Sequence, residues 1–152
     1  MRYTLKVLFI LSTGLWLGGM LMALTILFTF FAKDRNLAVQ VGPTLILTFE
    51  KFQAIFGVIA LFTFVGWRLM VCSKPKKIIM PLILIAAAGA TVSTAFITPR
   101  VNALWFSGQG GTPEFWKWHG ISQVIYLIQT ACLLATIALT PWAIDCETSR
   151  AG

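Results

Sequence analysis

The sequence predicts an all-α fold, a polytopic membrane four-helix bundle that forms a single transmembrane domain over residues 1–152. Hydrophobic residues make up 58% of the chain and charged residues 11%, and the mean hydropathy is +0.84. Soluble domains are nearer half apolar and about a quarter charged. One helical crossing takes about 20 apolar residues. We therefore expect four crossings and no additional soluble domain.

The basic residues predict the orientation of the bundle. The net charge is +7, and its twelve lysines and arginines cluster at the ends of apolar runs, which favours lipid headgroups over nucleic acid as their partners. Seven of the twelve fall on the side of the termini, four of them between residues 68 and 77. Both termini are therefore predicted to be cytoplasmic. We expect a multi-pass integral membrane protein, in the inner (plasma) membrane if the source is bacterial.

The first crossing is predicted at about residues 5–32. Its apolar run is too long for a cleaved signal peptide, so we expect it to remain in the membrane. Two of its glycines form a G-x-x-x-G pair, a spacing that permits close approach of helices. The residues predicted to pack against other helices here are Gly14, Trp16, Gly18 and Gly19.

The second crossing is predicted at residues 52–71, preceded by a helical approach along the membrane interface at 37–49 that bends at Pro43. Glu50, Gln53 and Gly57 share one helix face. Glu50 either contributes to a polar site or extends its carboxylate towards water.

The third crossing is predicted at residues 78–97 and is expected to end at Pro99. The small residues Ala86, Gly89 and Ala90 at its centre suit close contact with a neighbouring helix or a partner subunit. A glycine-rich interfacial loop follows. Thr112 and Pro113 then predict the N-cap and first residue of a fourth crossing at 113–140.

Polar residues of the fourth crossing recur at helical spacing and predict a face turned towards the bundle. They are His119, Ser122, Gln123, Tyr126, Gln129 and Thr130. Thr91, Thr94 and Thr98 form a similar line on the third crossing, and Glu50 with Gln53 is expected at the same outer depth.

We therefore expect a polar, ligand-binding cleft open to the outer leaflet, in which Arg100 pairs with Glu50. Its predicted members are Glu50, Arg100, His119, Ser122, Gln123 and Tyr126. In the alternative interpretation, these groups merely hydrogen-bond neighbouring helices or backbone carbonyls.

Four short segments, in their order and spacing, carry a resemblance to a known family. They are Trp16-Leu17-Gly18-Gly19, Phe28 to Ala32, Thr98-Pro99-Arg100 and His119-Gly120-Ile121-Ser122. The chain resembles, over nearly its whole length, the domain-of-unknown-function 4149 family (transmembrane protein 205-like), which is distantly similar to CopD-like and HemJ-like membrane proteins. Pro43 and the glycine-rich loop depart from the pattern. The resemblance implies a four-helix membrane protein without an established reaction.

Metal and cofactor chemistry has few candidate ligands in this sequence. A low-spin haem takes two axial ligands, but His119 is the only histidine. A haem or chlorophyll held through His119 alone, beside a larger partner, stays open. Copper or zinc would need a cluster of ligands, and no metal site is predicted. The cysteines lack metal or redox spacing and are expected to be free thiols: Cys72, Cys132 and Cys146.

Two classes of function are compatible with these features. His119 and Ser122 lie one turn apart, but no third residue or oxyanion-binding group accompanies them, so no catalytic residue is predicted. The leading prediction is a small non-enzymatic accessory or scaffolding subunit of a larger membrane complex, in contact with the lipid bilayer and other membrane subunits. The alternative is a carrier or binding protein for a haem, chlorophyll or other amphipathic small molecule in the outer-side polar cleft.

Overall fold

Helices account for almost all of the described chain. The computed structural model describes residues 2–70 and 74–149, which contain no strand. The elements are α1 (Arg2–Lys33), α2 (Arg35–Met70), α3 (Lys74–Val92), a π-helical segment (Ser93–Ile97), α4 (Thr98–Phe106) and α5 (Pro113–Thr148). Four stretches are long and apolar enough to cross a membrane: Tyr3–Lys33, Val39–Met70, Pro75–Phe106 and Pro113–Glu147. The predicted all-α class with four membrane-length helices is confirmed.

The second helix is continuous where the sequence predicted two segments. Pro43 lies inside α2, and the helix passes through Glu50 and Lys51 without interruption. Proline is tolerated in membrane helices because neighbouring groups can satisfy the carbonyl that it leaves unpaired. Glu50 is buried and Lys51 is exposed. The two charged residues therefore lie on different faces of one helix and do not mark its start.

The third membrane-length helix also continues beyond its predicted end. Pro99 lacks a backbone N–H, but the π-helical segment that precedes it already displaces the normal hydrogen-bonding pattern. The Thr98 N–H, for example, bonds the carbonyl of Ser93, five residues earlier. The chain stays helical to Phe106, and α5 likewise passes through Pro141 to Thr148.

The start of α5 agrees with the prediction. The hydroxyl of Thr112 accepts a hydrogen bond of 3.3 Å from the Phe115 N–H, Pro113 occupies the first turn, and Glu114 is the acidic residue there. The cap satisfies one of the N–H groups that a helix start leaves unpaired. The predicted N-terminus of the fourth crossing is confirmed.

Two hydrophobic clusters form the core. The first contains Trp16, Met20, Ala86 and Leu133, which join α1, α3 and α5. The second is built on Phe9, whose ring centroid lies 5.1 Å from that of Phe64, and it also joins α3 and α5. α1 packs mainly on α2, and α3 packs mainly on α5.

The predicted small-residue contacts are partly formed within the chain. A Cβ on Gly19 would lie 2.6 Å from a carbon of the Phe52 ring, and one on Gly89 would lie 3.1 Å from the Gln129 side chain. Ala86 is buried, Ala90 packs on the first cluster, and Trp16 is a core residue. Gly14 and Gly18 are exposed, with no atom within 4 Å of the added Cβ. The G-x-x-x-G pair therefore makes no helix contact within the described chain.

A charged cluster ties four helices together at the end of the bundle that carries the described terminal residues. Glu147 of α5 forms ion pairs with Lys6 of α1 and Lys76 of α3. It also accepts a 2.8 Å hydrogen bond from the Trp67 indole of α2. Lys76 is 0% exposed, with its ammonium 4.3 Å from the centre of the Trp67 ring. The basic turn predicted between α2 and α3 thus contributes a buried side chain.

Candidate functional site

A cavity of about 350 Å³ lies between α1, the first half of α2, α4 and α5. Most of its wall is apolar, with side chains that include Leu24, Leu27, Phe28, Phe31, Val39, Ile46, Phe49 and Trp105. Polar side chains also line it, mainly from α4 and α5: Thr98, Asn102, His119, Ser122, Gln123, Tyr126 and Thr130. The cavity has the size and the predominantly apolar lining of small-molecule sites in proteins.

The polar residues of α5 reach the cavity because they recur at helical spacing. His119, Ser122, Gln123 and Tyr126 lie at i, i+3, i+4 and i+7 and all line it. The structure therefore brings together four of the six predicted ligand-binding residues.

The imidazole of His119 belongs to an aromatic cluster. Its plane is stacked on Phe115, with ring centres 5.5 Å apart and an interplanar angle of 11°. It meets Trp116 at 5.9 Å and 83°. Trp105 joins this cluster by packing on Phe115, with ring centres 5.5 Å apart. These contacts fix the orientation of the one histidine at the cavity wall.

Glu50 lies behind this wall and is 2% exposed. Its Oε1 accepts hydrogen bonds of 3.3 Å from the hydroxyls of Ser93 and Tyr126, and a short one from Thr98. Thr98 and Tyr126 also line the cavity. The alternative that Glu50 extends towards water is therefore wrong, because its carboxylate is enclosed by hydroxyl groups inside the bundle.

The π-helical segment explains why two hydroxyls of one chain segment reach Glu50. In an α-helix, residues five apart are separated by about 140° around the axis, because each residue turns about 100°. A π turn holds more residues and reduces this angle. Ser93 and Thr98, five apart, can therefore both direct their hydroxyls to the same carboxylate oxygen.

The sequence predicted an ion pair between Arg100 and Glu50, and the structure does not contain it. The guanidinium of Arg100 instead donates a 2.8 Å hydrogen bond to Glu114, and the two side chains are 55% and 49% exposed. Arg100 follows Thr98 by two residues, which corresponds to about 200° around a helix. When Thr98 faces Glu50, Arg100 is directed away. The predicted site of Arg100, His119 and Glu50 is therefore divided.

The predicted line of threonines is also divided. Thr91 and Thr94 are exposed and line a second groove of about 370 Å³ between α2 and α3, together with Gln53. The Gln53 carbonyl accepts a 3.4 Å hydrogen bond from the Trp16 indole. The π-helical segment Ser93–Ile97 begins after Thr91, contains Thr94 and ends before Thr98, so the helix face changes along this line of threonines. Gln53, Thr91 and Thr94 do not contribute to the cavity wall.

Sequence reasoning missed Ser93, Asn102 and Trp105 as parts of this region. No sequence pattern pointed to Ser93, because its contact with Glu50 depends on the π turn. The sequence predicts a loop at Asn102 and Trp105, whereas α4 places them on the cavity wall.

Few residues suited to a transition-metal ion lie close together in the described chain. Within residues 2–70 and 74–149, no group of three or more His, Cys, Asp or Glu side chains could hold one. Cys132 and Cys146 are free thiols, and Cys72 lies outside the described residues.

The fold and the cavity define a class: a multi-pass helical membrane protein with apolar surfaces suited to lipid contact and a partly polar cavity inside the bundle. No protein-family model matches the chain, and searches of curated proteins and solved structures give no significant match. The resemblance to the domain-of-unknown-function 4149 family therefore stays a prediction.

Proposed function

We propose that this chain is a non-enzymatic membrane protein that binds an amphipathic small molecule in the cavity between α1, α2, α4 and α5. The observation that carries the proposal is the combination of a long apolar wall with a group of hydrogen-bonding side chains in one cavity of about 350 Å³. The apolar body of the ligand would lie against the apolar wall, and its polar head group would contact the hydrogen-bonding side chains.

The polar side chains narrow the chemistry of the head group. Ser122, Tyr126 and Gln123 offer hydroxyl and amide groups that donate and accept hydrogen bonds. Arg100, the nearby cation in sequence, is bonded to Glu114 instead of lining the cavity. We therefore propose a neutral head group with carbonyl or hydroxyl oxygens. A haem or chlorophyll held through His119 is a different proposal for the same cavity, because the metal would bind the imidazole and a haem carries charged propionate groups.

Access from the bilayer supports a lipid-soluble ligand. Leu21, Leu24 and Phe28 line the cavity and are exposed, so the described chain does not cover the α1 side of the cavity. A hydrophobic molecule could therefore enter laterally between α1 and α2 without crossing water. A ligand that first dissolves in the membrane would be concentrated at this opening.

The proposal is tested by purifying the chain in lipid nanodiscs and identifying extracted compounds by mass spectrometry and visible absorbance. Ala23→Phe places a ring in the cavity wall, and Ala88→Phe makes the same change on an exposed face of α3 outside the cavity. We expect Ala23→Phe to reduce one specific co-purifying compound, while Ala88→Phe retains it. Equal retention by both variants, or no enriched compound in the wild-type chain, would contradict the proposal.

A second candidate function, the accessory subunit, is favoured by the exposed G-x-x-x-G pair. Gly14 and Gly18 have no neighbour within 4 Å of an added Cβ, so a helix from another subunit could approach their backbone closely. Purification from the native membrane followed by native mass spectrometry tests this role. Gly18→Leu should release a partner that the wild-type chain retains. A wild-type chain that purifies alone would count against it.

We also propose that both termini are cytoplasmic and, for a bacterial source, that the membrane is the inner one. The basic residues at 68–77 support this orientation. The ion pair of Lys6 with Glu147 holds the first and last helices together at one end, as an even number of crossings requires.

A further inference from the structure

We infer that Glu50 and the hydroxyl groups around it form a binding site for a sodium ion inside the bundle. Glu50 supplies a carboxylate from α2, and Ser93, Thr98 and Tyr126 supply hydroxyl oxygens from the π-helical segment, α4 and α5. The site adjoins the cavity through Thr98 and Tyr126. It does not depend on which molecule the cavity binds.

The charge of Glu50 calls for a cation. Its side chain is 2% exposed, and an uncompensated carboxylate at this depth in a membrane protein is costly. The ion pairs in the described part of the chain join Lys6 and Lys76 to Glu147, and Arg100 to Glu114. Within the described part of the chain, no lysine or arginine side chain forms an ion pair with Glu50. A bound monovalent cation balances its single negative charge.

Two of the three hydroxyl oxygens have a spacing from Glu50 that fits ligands sharing an ion, whereas Thr98 makes a short hydrogen bond to the same carboxylate oxygen. Hydrogen bonds from a hydroxyl to a carboxylate are usually about 2.5–2.7 Å long. Ser93 Oγ and Tyr126 Oη each lie 3.3 Å from Glu50 Oε1. Adjacent oxygens around an ion with metal–oxygen distances of about 2.3–2.6 Å lie about 3.3–3.7 Å apart in octahedral geometry. Small rotations of the hydroxyls would turn their lone pairs towards such an ion.

The ligand types select the ion. All four groups are hard oxygen donors, which favour alkali and alkaline-earth ions over copper or zinc. Calcium sites usually employ several carboxylates, and magnesium usually retains several waters. One carboxylate among buried hydroxyls suits a singly charged ion better. The close spacing of these oxygens suits sodium better than the larger potassium ion.

The π turn is the structural device that builds the site. It brings Ser93 and Thr98 to the same side of their helix, where a regular α-helix would separate them. π turns are uncommon and frequently lie at functional sites. Glu50 alone would be an unpaired buried acid, whereas with these hydroxyls it forms a set of four oxygen-bearing side chains from four elements.

The test is thermal unfolding of the full chain in nanodiscs, followed by tryptophan fluorescence during titration with sodium chloride. Choline chloride keeps the ionic strength constant, and potassium chloride is titrated in parallel. A ligand that binds only the folded state raises the unfolding temperature in a saturable manner. We expect this response with sodium, a weaker one with potassium, and none in Glu50→Gln. Glu114→Gln, which removes an exposed acid from α5, should respond as the wild-type chain does.

Tyr126→Phe provides a milder test, because it removes one hydroxyl and retains the ring. Loss of one bond to a charged group should raise the half-saturating sodium concentration about tenfold. It also keeps the inference testable if Glu50→Gln does not fold. The inference is overturned if the wild-type chain unfolds at the same temperature in sodium and choline. It is equally overturned if Glu50→Gln keeps the sodium response, or if Tyr126→Phe titrates as the wild-type chain does.

Discussion

The indole N–H of Trp67 donates a 2.8 Å hydrogen bond to Oε1 of Glu147, 80 residues further along the chain. The same carboxylate pairs with Lys6 and Lys76, so one acid connects α1, α2, α3 and α5. Hydrogen bonds to charged groups stabilise a fold more than hydrogen bonds between neutral groups do. Their contribution to the free energy of folding increases as water is excluded. The end of the bundle opposite the cavity is therefore fixed by a charged cluster.

Replacement of this acid should destabilise the bundle. Glu147→Gln keeps the shape of the side chain but removes the negative charge that faces the buried ammonium of Lys76. We expect a loss of about 2–3 kcal/mol in the free energy of unfolding. Glu114→Gln, which breaks the exposed pair with Arg100, should cost less than about 1 kcal/mol. Denaturant unfolding in mixed micelles measures both, and equal losses would exclude a special role for Glu147.

The glycines of α1 should differ sharply in their tolerance of a methyl group. A Cβ at Gly19 would lie 2.6 Å from the Phe52 ring, which is itself packed on Phe56 with ring centres 4.4 Å apart. Gly19→Ala should therefore cost about 1–3 kcal/mol by overpacking. Gly18→Ala meets open space and should be neutral or stabilise the helix by up to about 1 kcal/mol. Thermal unfolding of the pair checks this order, and the reverse order would contradict the packing of α1 on α2.

The amide of Gln129, buried without a hydrogen-bond partner in the described chain, should lower the free energy of unfolding. Its side chain is fully buried against Gly89, and neither its nitrogen nor its oxygen makes a hydrogen bond within residues 2–70 and 74–149. Gln129→Met preserves the side-chain length and removes the unpaired polar atoms. We expect a gain of about 1–3 kcal/mol in the free energy of unfolding. A loss of similar size would indicate that the amide has a partner that Met cannot replace.

The turn between α4 and α5 should be sensitive at Gly108. Its φ of 77° lies in the left-handed region, where a side chain costs about 1–2 kcal/mol. Gly108→Ala should lower the unfolding temperature, while Gly111→Ala, with no atom near its added Cβ, serves as the control. Comparable unfolding temperatures for the two variants would contradict this turn conformation.

The proposed orientation predicts which cysteines a membrane-impermeant thiol reagent can reach. Lys77→Cys, exposed at the terminal end of the bundle, should be protected in intact cells, and Gln109→Cys in the α4–α5 turn should be labelled. Both should react after the membrane is permeabilised. Labelling of Lys77→Cys alone in intact cells would require the opposite orientation.

The cavity shows how far a periodic pattern can predict a site. The spacing of His119, Ser122, Gln123 and Tyr126 was sufficient to predict a shared polar face on one regular helix. The partner of Arg100 was not predictable in this way, because Glu50 and Glu114 both lay within its expected reach. The two-residue offset from Thr98 directs Arg100 to Glu114 once the helix continues through Pro99.

The sequence by itself determined the all-α class, the four membrane-length helices and the Thr112 cap, because hydrophobic run length and capping chemistry act over neighbouring residues. Only the tertiary structure decided the burial of Lys76, the outward position of Gly14 and Gly18, and the enclosure of Glu50. These features depend on the rotation of each helix about its axis. The π-helical segment Ser93–Ile97 changes this rotation in the third membrane-length helix, and local hydropathy does not predict it.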